Sequence, residues 1–494
     1  MKLGYFLTSD LNNAVAEAEG PEEMFRIVLE LPDSAPEKAD LLDNSGAGFL
    51  GRFLGNGNRE EDIDNCILAY ESAVDLTPQG HSEMSYRMIM LGVSYCHRFK
   101  LTGDLSDISK AILYQQKGVH LTPEGNADMP TWLSNLGSSY ESRFNCTGDL
   151  ADISDAISYR QKGVHLIPEG NADMPSYLNN LGSLFQSRFK HTRDLADISN
   201  AISYQEKAVH LMPEGHASMS TWLNNLGISF HSRFKSTGDL ADISNAISHQ
   251  QKAVHLTPES DEYKSSCMNN LGNSFQSRFE STGDLSDISD AILYHQKAVH
   301  LTPEGSAYMP SRMNNLGLLF QSRFKSTGDP SDISSAISYR QKTVQLTPDG
   351  HTDMPSRLSS LGILFQSHFK CTGDLADISN AISYHQKAVH LTPEGSAYMS
   401  SRMNNLGLSL QSRFKSTGDL ADISNAISYH QKVVYLTPEG NAFMSSRLNN
   451  LGNSFQSRFK QTGDLADNSE AISYHQKAVH LTPEGDVNMP SWLN

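Results

Sequence analysis

QSRFKSTGDLADISNAISYHQKVVYLTPEG, residues 411–440, recurs with small substitutions from one end of the 494-residue chain to the other. The proline near its end falls at Pro78, Pro123, Pro168, Pro213, Pro258, Pro303, Pro348, Pro393, Pro438 and Pro483, every step 45 residues. A second marker, the glycine that follows a leucine, runs from Gly92 to Gly452 at the same step. A constant period of this length is the signature of a solenoid, in which each unit buries its apolar face against the next. The repeat overrides the division into three or so domains that length alone suggests.

Two helices are legible in each copy. Met403, Leu406, Leu410 and Phe414 fall at i, i+3, i+7 and i+11, an apolar stripe at helical spacing. Gly418 supplies a left-handed end to that helix, and Asp419 is placed to cap the next. Leu420, Ile423, Ile427 and Val434 continue a stripe as far as Thr437-Pro438, where proline stops the second helix. The expected fold is all-α, an α-solenoid of antiparallel helix pairs without strands. Gly407 lies inside the first helix, where glycine costs about 1 kcal/mol relative to alanine, so its recurrence predicts close approach of a partner helix.

The ends differ from the middle. Residues 1–35 read as an irregular N-terminal capping segment, with a helix expected from Glu22 to Leu31. Residues 36–78 read as a degenerate first repeat, 79–483 as nine regular repeats, and 484–494 as the start of a truncated further copy. Three substitutions mark expected weak links: Arg193 in place of the helix-ending glycine, Asn468 in place of a core isoleucine, and a rewritten turn at residues 260–263.

The spacing of Leu406-Gly407, the aromatic three residues after the glycine (Tyr140, Phe185, Phe230, Phe275), Ala381, Ala388 and Pro393 resembles the tetratricopeptide repeat. The standard unit has 34 residues; the 11 extra are placed between the helices, around FKSTGDLAD. The L-N-N-L-G run is similar to the longer repeats of kinesin light chains. The array as a whole resembles those of basidiomycete fungal proteins, which often precede a caspase-like CHAT peptidase domain. The resemblance implies a right-handed superhelix with a concave, peptide-receiving groove lined by first helices. It departs from the family pattern at the second-helix aromatic, where His385 stands and Tyr384 comes one place early.

Composition narrows the function. A net charge of −17 argues against general nucleic-acid binding, which needs cationic surface. No apolar run approaches a membrane span. The five cysteines are scattered, and Cys146 and Cys371 share a position that is serine in other copies, as befits unpaired thiols in a reducing, cytoplasmic setting. No phosphate loop, HExxH, GxSxG or catalytic cysteine signature occurs, so no enzyme, no cofactor and no metal site is expected. His120, His165, His210, His255, His300, His390 and His480 share one position, but Gln345 and Tyr435 also fill it, and neither replaces a zinc ligand well.

The candidate site is the polar face of the first helix: Ser401, Asn404, Asn405, Leu408, Gln411 and Ser412 in one copy. Asparagine pairs recur at Asn179-Asn180, Asn224-Asn225, Asn269-Asn270, Asn314-Asn315, Asn404-Asn405 and Asn449-Asn450. Asparagine both donates and accepts, so a ladder of pairs suits an extended peptide backbone; solvated residues copied with their repeat are the other reading. Trp132, Tyr177 and Trp222 mark early copies at a position that is Arg312, Arg357, Arg402 and Arg447 later. These residue types are common at binding hot spots, and packing at the repeat edge is the alternative. Arg413 and its counterparts are expected to pin the inter-helix loop by an ion pair to an aspartate such as Asp419. Three functions stay open. The first is a protein-interaction scaffold. The second is the sensor arm of a CHAT-type effector, and the third a structural or self-assembling array.

Overall fold

In the computed structural model, residues 20–55, 58–168, 170–213, 215–438 and 440–482 are described. They form helices joined by turns, without a strand among them. The expected start of a further copy at 484–494 lies outside the described residues. The chain divides between Leu256 and Thr257 into two units, and the described residues of each form a series of helix pairs. The first unit opens with Pro21–Leu29, which packs Phe25 edge-to-face on Phe49 of Lys38–Gly55, ring centroids 5.6 Å apart.

The pair made by Met399–Thr417 and Leu420–Leu436 represents the rest. Only Gly418 and Asp419 separate its helices. The extra residues therefore lengthen both helices; FKSTGDLAD is helical except at those two positions, not an inserted loop. Gly418 sits at φ +71° and returns its N–H to the Phe414 carbonyl at 2.8 Å. Asp419 caps the second helix by accepting the Ala421 N–H at 2.9 Å. Arg413 does not pair with Asp419. Its guanidinium grips Asp422, one turn into the second helix, through two bonds of 2.7 and 2.6 Å. Nine residues separate the two groups, as in Arg98–Asp107, Arg143–Asp152 and Arg458–Asp467. Two parallel bonds match the fork of the guanidinium to a carboxylate that is only 3% exposed.

Within a pair the helices touch across the recurrent glycine. A Cβ on Gly407 would lie 2.4 Å from Nε2 of His430 on the second helix. On Gly92 it would lie 2.8 Å from the Ala111 carbonyl oxygen. The second-helix residue at this contact is Gln115, Arg160, Gln205, Gln250, His295, Arg340, His385, His430 or His475. His385 is therefore the buried contact residue. The displaced Tyr384 stacks instead on Phe365, centroids 5.5 Å apart and planes 12° from parallel. The same stack joins Phe185 to Tyr204 and Phe275 to Tyr294. Isoleucines at Ile108, Ile153, Ile198, Ile243, Ile288, Ile333, Ile378 and Ile423 are sealed from solvent. Each contributes roughly 2 kcal/mol by burial.

Candidate functional site

Successive first helices lie side by side within each unit, linked by hydrogen bonds between residues 46 apart. Asn450 Nδ2 donates to Asn404 Oδ1 at 3.0 Å, and Gln411 Nε2 to Ser457 Oγ at 3.3 Å. In the first unit the Thr131 and Tyr177 hydroxyls meet at 3.2 Å. One residue more than the repeat period brings each side chain to its neighbour, so these contacts set the register of copy on copy.

This register separates the two members of each asparagine pair. The first member turns into the seam: Asn179, Asn224 and Asn404 are buried, and Asn269, Asn314 and Asn449 are half-buried. The Asn314 carbonyl oxygen accepts from Arg340 at 2.9 Å, and that of Asn449 lies 3.0 Å from His475 Nδ1. The second member reaches the surface. Asn180 is exposed, and Asn225, Asn270, Asn315, Asn405 and Asn450 are half-exposed.

Trp132 and Trp222 are interior side chains, 7% and 6% exposed. Trp222 packs with Leu178, Ala208 and Met212 of the preceding copy. Tyr177 is half-buried. The aromatics of the early copies therefore sit at the repeat edge. The shared-position histidines from His120 to His480 are exposed on second helices. Among the described residues no three His, Cys, Asp or Glu side chains converge as a metal site would require. All five cysteines are unpaired, with Cys66, Cys96 and Cys267 buried and Cys146 and Cys371 exposed.

The open part of the first-helix face is clearest in the second unit. Between Met399–Thr417 and Met444–Thr462 runs a groove of about 600 Å³, lined by Leu408, Gln411, Lys415, Asn450, Asn453 and Lys460. Apolar, amide and cationic groups thus follow one another across it. Leu318 and Ile363, at the Leu408 position, are 39% and 37% exposed. The lysine came unannounced from the sequence. It stands seven residues after Leu408, two helical turns along the same stripe, and that spacing was the signal for it. Lys325, Lys370, Lys415 and Lys460 share the position and are exposed. On a chain of net charge −17 the groove lysines form a local cationic line.

No family model and no curated protein matches the chain. Among solved structures it is similar to YrrB, described as a TPR protein with an unusual peptide-binding site. Identity there is 15%, covering 50% of this chain and 98% of that one, with a TM-score of 0.33. It is similar to a signal-transduction ATPase of Pyrococcus horikoshii with a tetratricopeptide-repeat sensor. That match has 11% identity, covers 97% of this chain and 67% of the other, and has a TM-score of 0.48. A third likeness is to the APC/C hetero-tetramer Cut9–Hcn1, at 12% identity, 98% and 91% coverage and a TM-score of 0.32. Two of the three carry tetratricopeptide repeats by description, and what the chain has in its own right is an all-α tandem array of helix pairs.

Proposed function

We propose that the chain is a non-enzymatic protein-interaction scaffold whose first-helix face receives an extended peptide segment of a partner protein. The observation that carries the reading is the groove beside Leu408, with Asn450, Asn453, Lys415 and Lys460 around it. Amides bond a peptide backbone whatever its side chains, the leucine takes an apolar residue, and the lysines favour acidic ones. The second asparagine of each pair supplies the accessible amide. The first asparagine, Trp132 and Trp222 hold the helices that present it. Repetition along one unit adds avidity, since linked weak sites raise effective concentration. A cytoplasmic setting belongs to the same proposal; the sensor arm of a CHAT-type effector is the alternative to it, and sequencing the full transcript for a downstream peptidase domain tests that alternative.

Selection from a random peptide library tests the groove. Selected peptides should be extended, acidic and apolar in alternation. They should lose about tenfold affinity against Asn405→Ala/Asn450→Ala and against Lys415→Glu/Lys460→Glu, about 1.4 kcal/mol. Peptides that bind all variants equally would rule this face out.

A further inference from the structure

Three copies in the second unit carry an arginine without a carboxylate partner at the start of the first helix. Arg312, Arg402 and Arg447 share one repeat position. Arg402 donates to the Thr392 hydroxyl at 2.6 Å and the Ser356 hydroxyl at 2.9 Å. Arg312 donates to the Thr302 and Ser266 hydroxyls and the Ala298 carbonyl. Arg447 reaches the Ser401 hydroxyl at 3.4 Å, and its buried Nε has no partner. Burial without an anion lowers the proton affinity of all three. Each guanidinium lies against the ring four residues before it, with Tyr308, Tyr398 and Phe443 centroids at 5.8, 5.4 and 5.8 Å. Those rings are 67%, 66% and 64% exposed. A desolvated cation beside a solvent-facing aromatic is an arrangement that a bound anion stabilises.

An intervening copy shows what the position takes. There the residue four before Arg357 is Asp353, and its carboxylate lies 3.6 Å from the guanidinium. In the first unit the equivalent Arg87 is paired with Asp40 and Asp43. Where the chain supplies a carboxylate, this arginine holds it; where the chain supplies an aromatic, the charge stays unmatched. Beside Arg447 the turns enclose a cavity of about 420 Å³, lined by Ser396, Ser401, Thr437, Asn441, Phe443 and Arg447 among others. The groove proposed above is lined by a different set of residues.

We propose that Arg312, Arg402 and Arg447, each with its aromatic neighbour, form a row of carboxylate sites on the turn edge of the second unit. Each takes one acidic side chain, the guanidinium binding the carboxylate while the ring stacks on the adjoining chain. Sites of this kind at the repeat spacing select a partner with acidic residues at matching intervals.

Calorimetric titration of the full chain with hexaglutamate tests the row. Binding should weaken about tenfold or more on raising salt from about 50 to about 300 mM. It should fall by a similar factor in Tyr308→Asp/Tyr398→Asp/Phe443→Asp, which installs the carboxylate that Asp353 provides naturally and so keeps the fold. Lys415→Glu/Lys460→Glu should leave this variant-sensitive component in place, which separates the edge from the groove. Sedimentation velocity identifies the source of the carboxylate. Concentration-dependent association that hexaglutamate competes away and the triple variant lacks assigns it to a second copy. A monomer that binds hexaglutamate assigns it to a different acidic protein. Equal binding by wild type and triple variant, or neither binding nor association, overturns the proposal.

Discussion

Arg193 holds a left-handed backbone, φ +60°, where eight other copies place glycine at φ +71° to +75°. A side chain in that region costs on the order of 1 kcal/mol, and the Arg193 guanidinium, 5.7 Å from the Phe189 ring centroid, offsets only part of it. Arg193→Gly should stabilise its turn by about 0.5–1 kcal/mol. Hydrogen exchange of the surrounding amides should then slow to the rate seen around Gly238; unchanged exchange would show that the strain is absorbed elsewhere. The ion pair across the equivalent turn at Gly418 makes the opposite prediction. Arg413→Ala strands the buried Asp422 carboxylate and should cost about 2–3 kcal/mol. Arg413→His should cost less, because His368 already holds Asp377 at 2.6 Å in another copy. Denaturant melts of the two variants make the comparison.

At the scale of the helix pair, the recurrent glycine decides how near the partners come. Gly92→Ala would set a methyl 2.8 Å from a backbone carbonyl, and the helices must part to admit it. The cost should be about 2–3 kcal/mol, well above the propensity gain of alanine. A melting point at or above wild type would contradict the close approach. Much of the pair was legible in sequence: the stripe from Met403 to Phe414, the Gly418 end and the Asp419 cap all stand where their chemistry requires. Two features were not. The aspartate that pairs with Arg413 is Asp422, since the guanidinium reaches across the turn to a residue one helical turn beyond the cap. The asparagine pairs split between seam and surface, which a wheel drawn for one helix does not reveal. That division depends on how the next copy's first helix lies alongside, expressed in the 46-residue contacts.

For the molecule, the repeat template places buried, acid-sensitive histidines at the glycine contact of the second unit, and burial lowers His231 of the first unit likewise. Gln115, Arg160, Gln205 and Gln250 face the glycines of the first unit; in the second His295, His385, His430 and His475 do so, with Arg340 in one copy. Burial pushes His295, His385 and His430 down to about 4 and lowers His475 as well. Their folded form therefore binds fewer protons than the unfolded chain between about pH 6.5 and 4. Stability is full above that window and falls through it, by at most about 1.4 kcal/mol per pH unit for each histidine. His295→Gln/His385→Gln/His430→Gln, with a residue native to this position, should make the acid dependence of unfolding of residues 257–482 shallower, the part due to His475 remaining. An equally steep decline would place the sensitivity in the carboxylates instead. Constant period and polar surface made the array readable from sequence, and so did the positions of the lysines and arginines; that the lysines line an open groove and that three arginines lack a carboxylate emerged only from packing.

Lysine acetylation footprinting by mass spectrometry, with and without a selected peptide, tests the scaffold reading most directly. Lys415 and Lys460 line the first-helix groove, while Lys387 and Lys432 stand exposed on second helices. Bound peptide should slow acetylation of Lys415 and Lys460 and leave Lys387 and Lys432 unchanged. Protection of the second-helix lysines, with Lys415 and Lys460 as reactive as in the free chain, would contradict it.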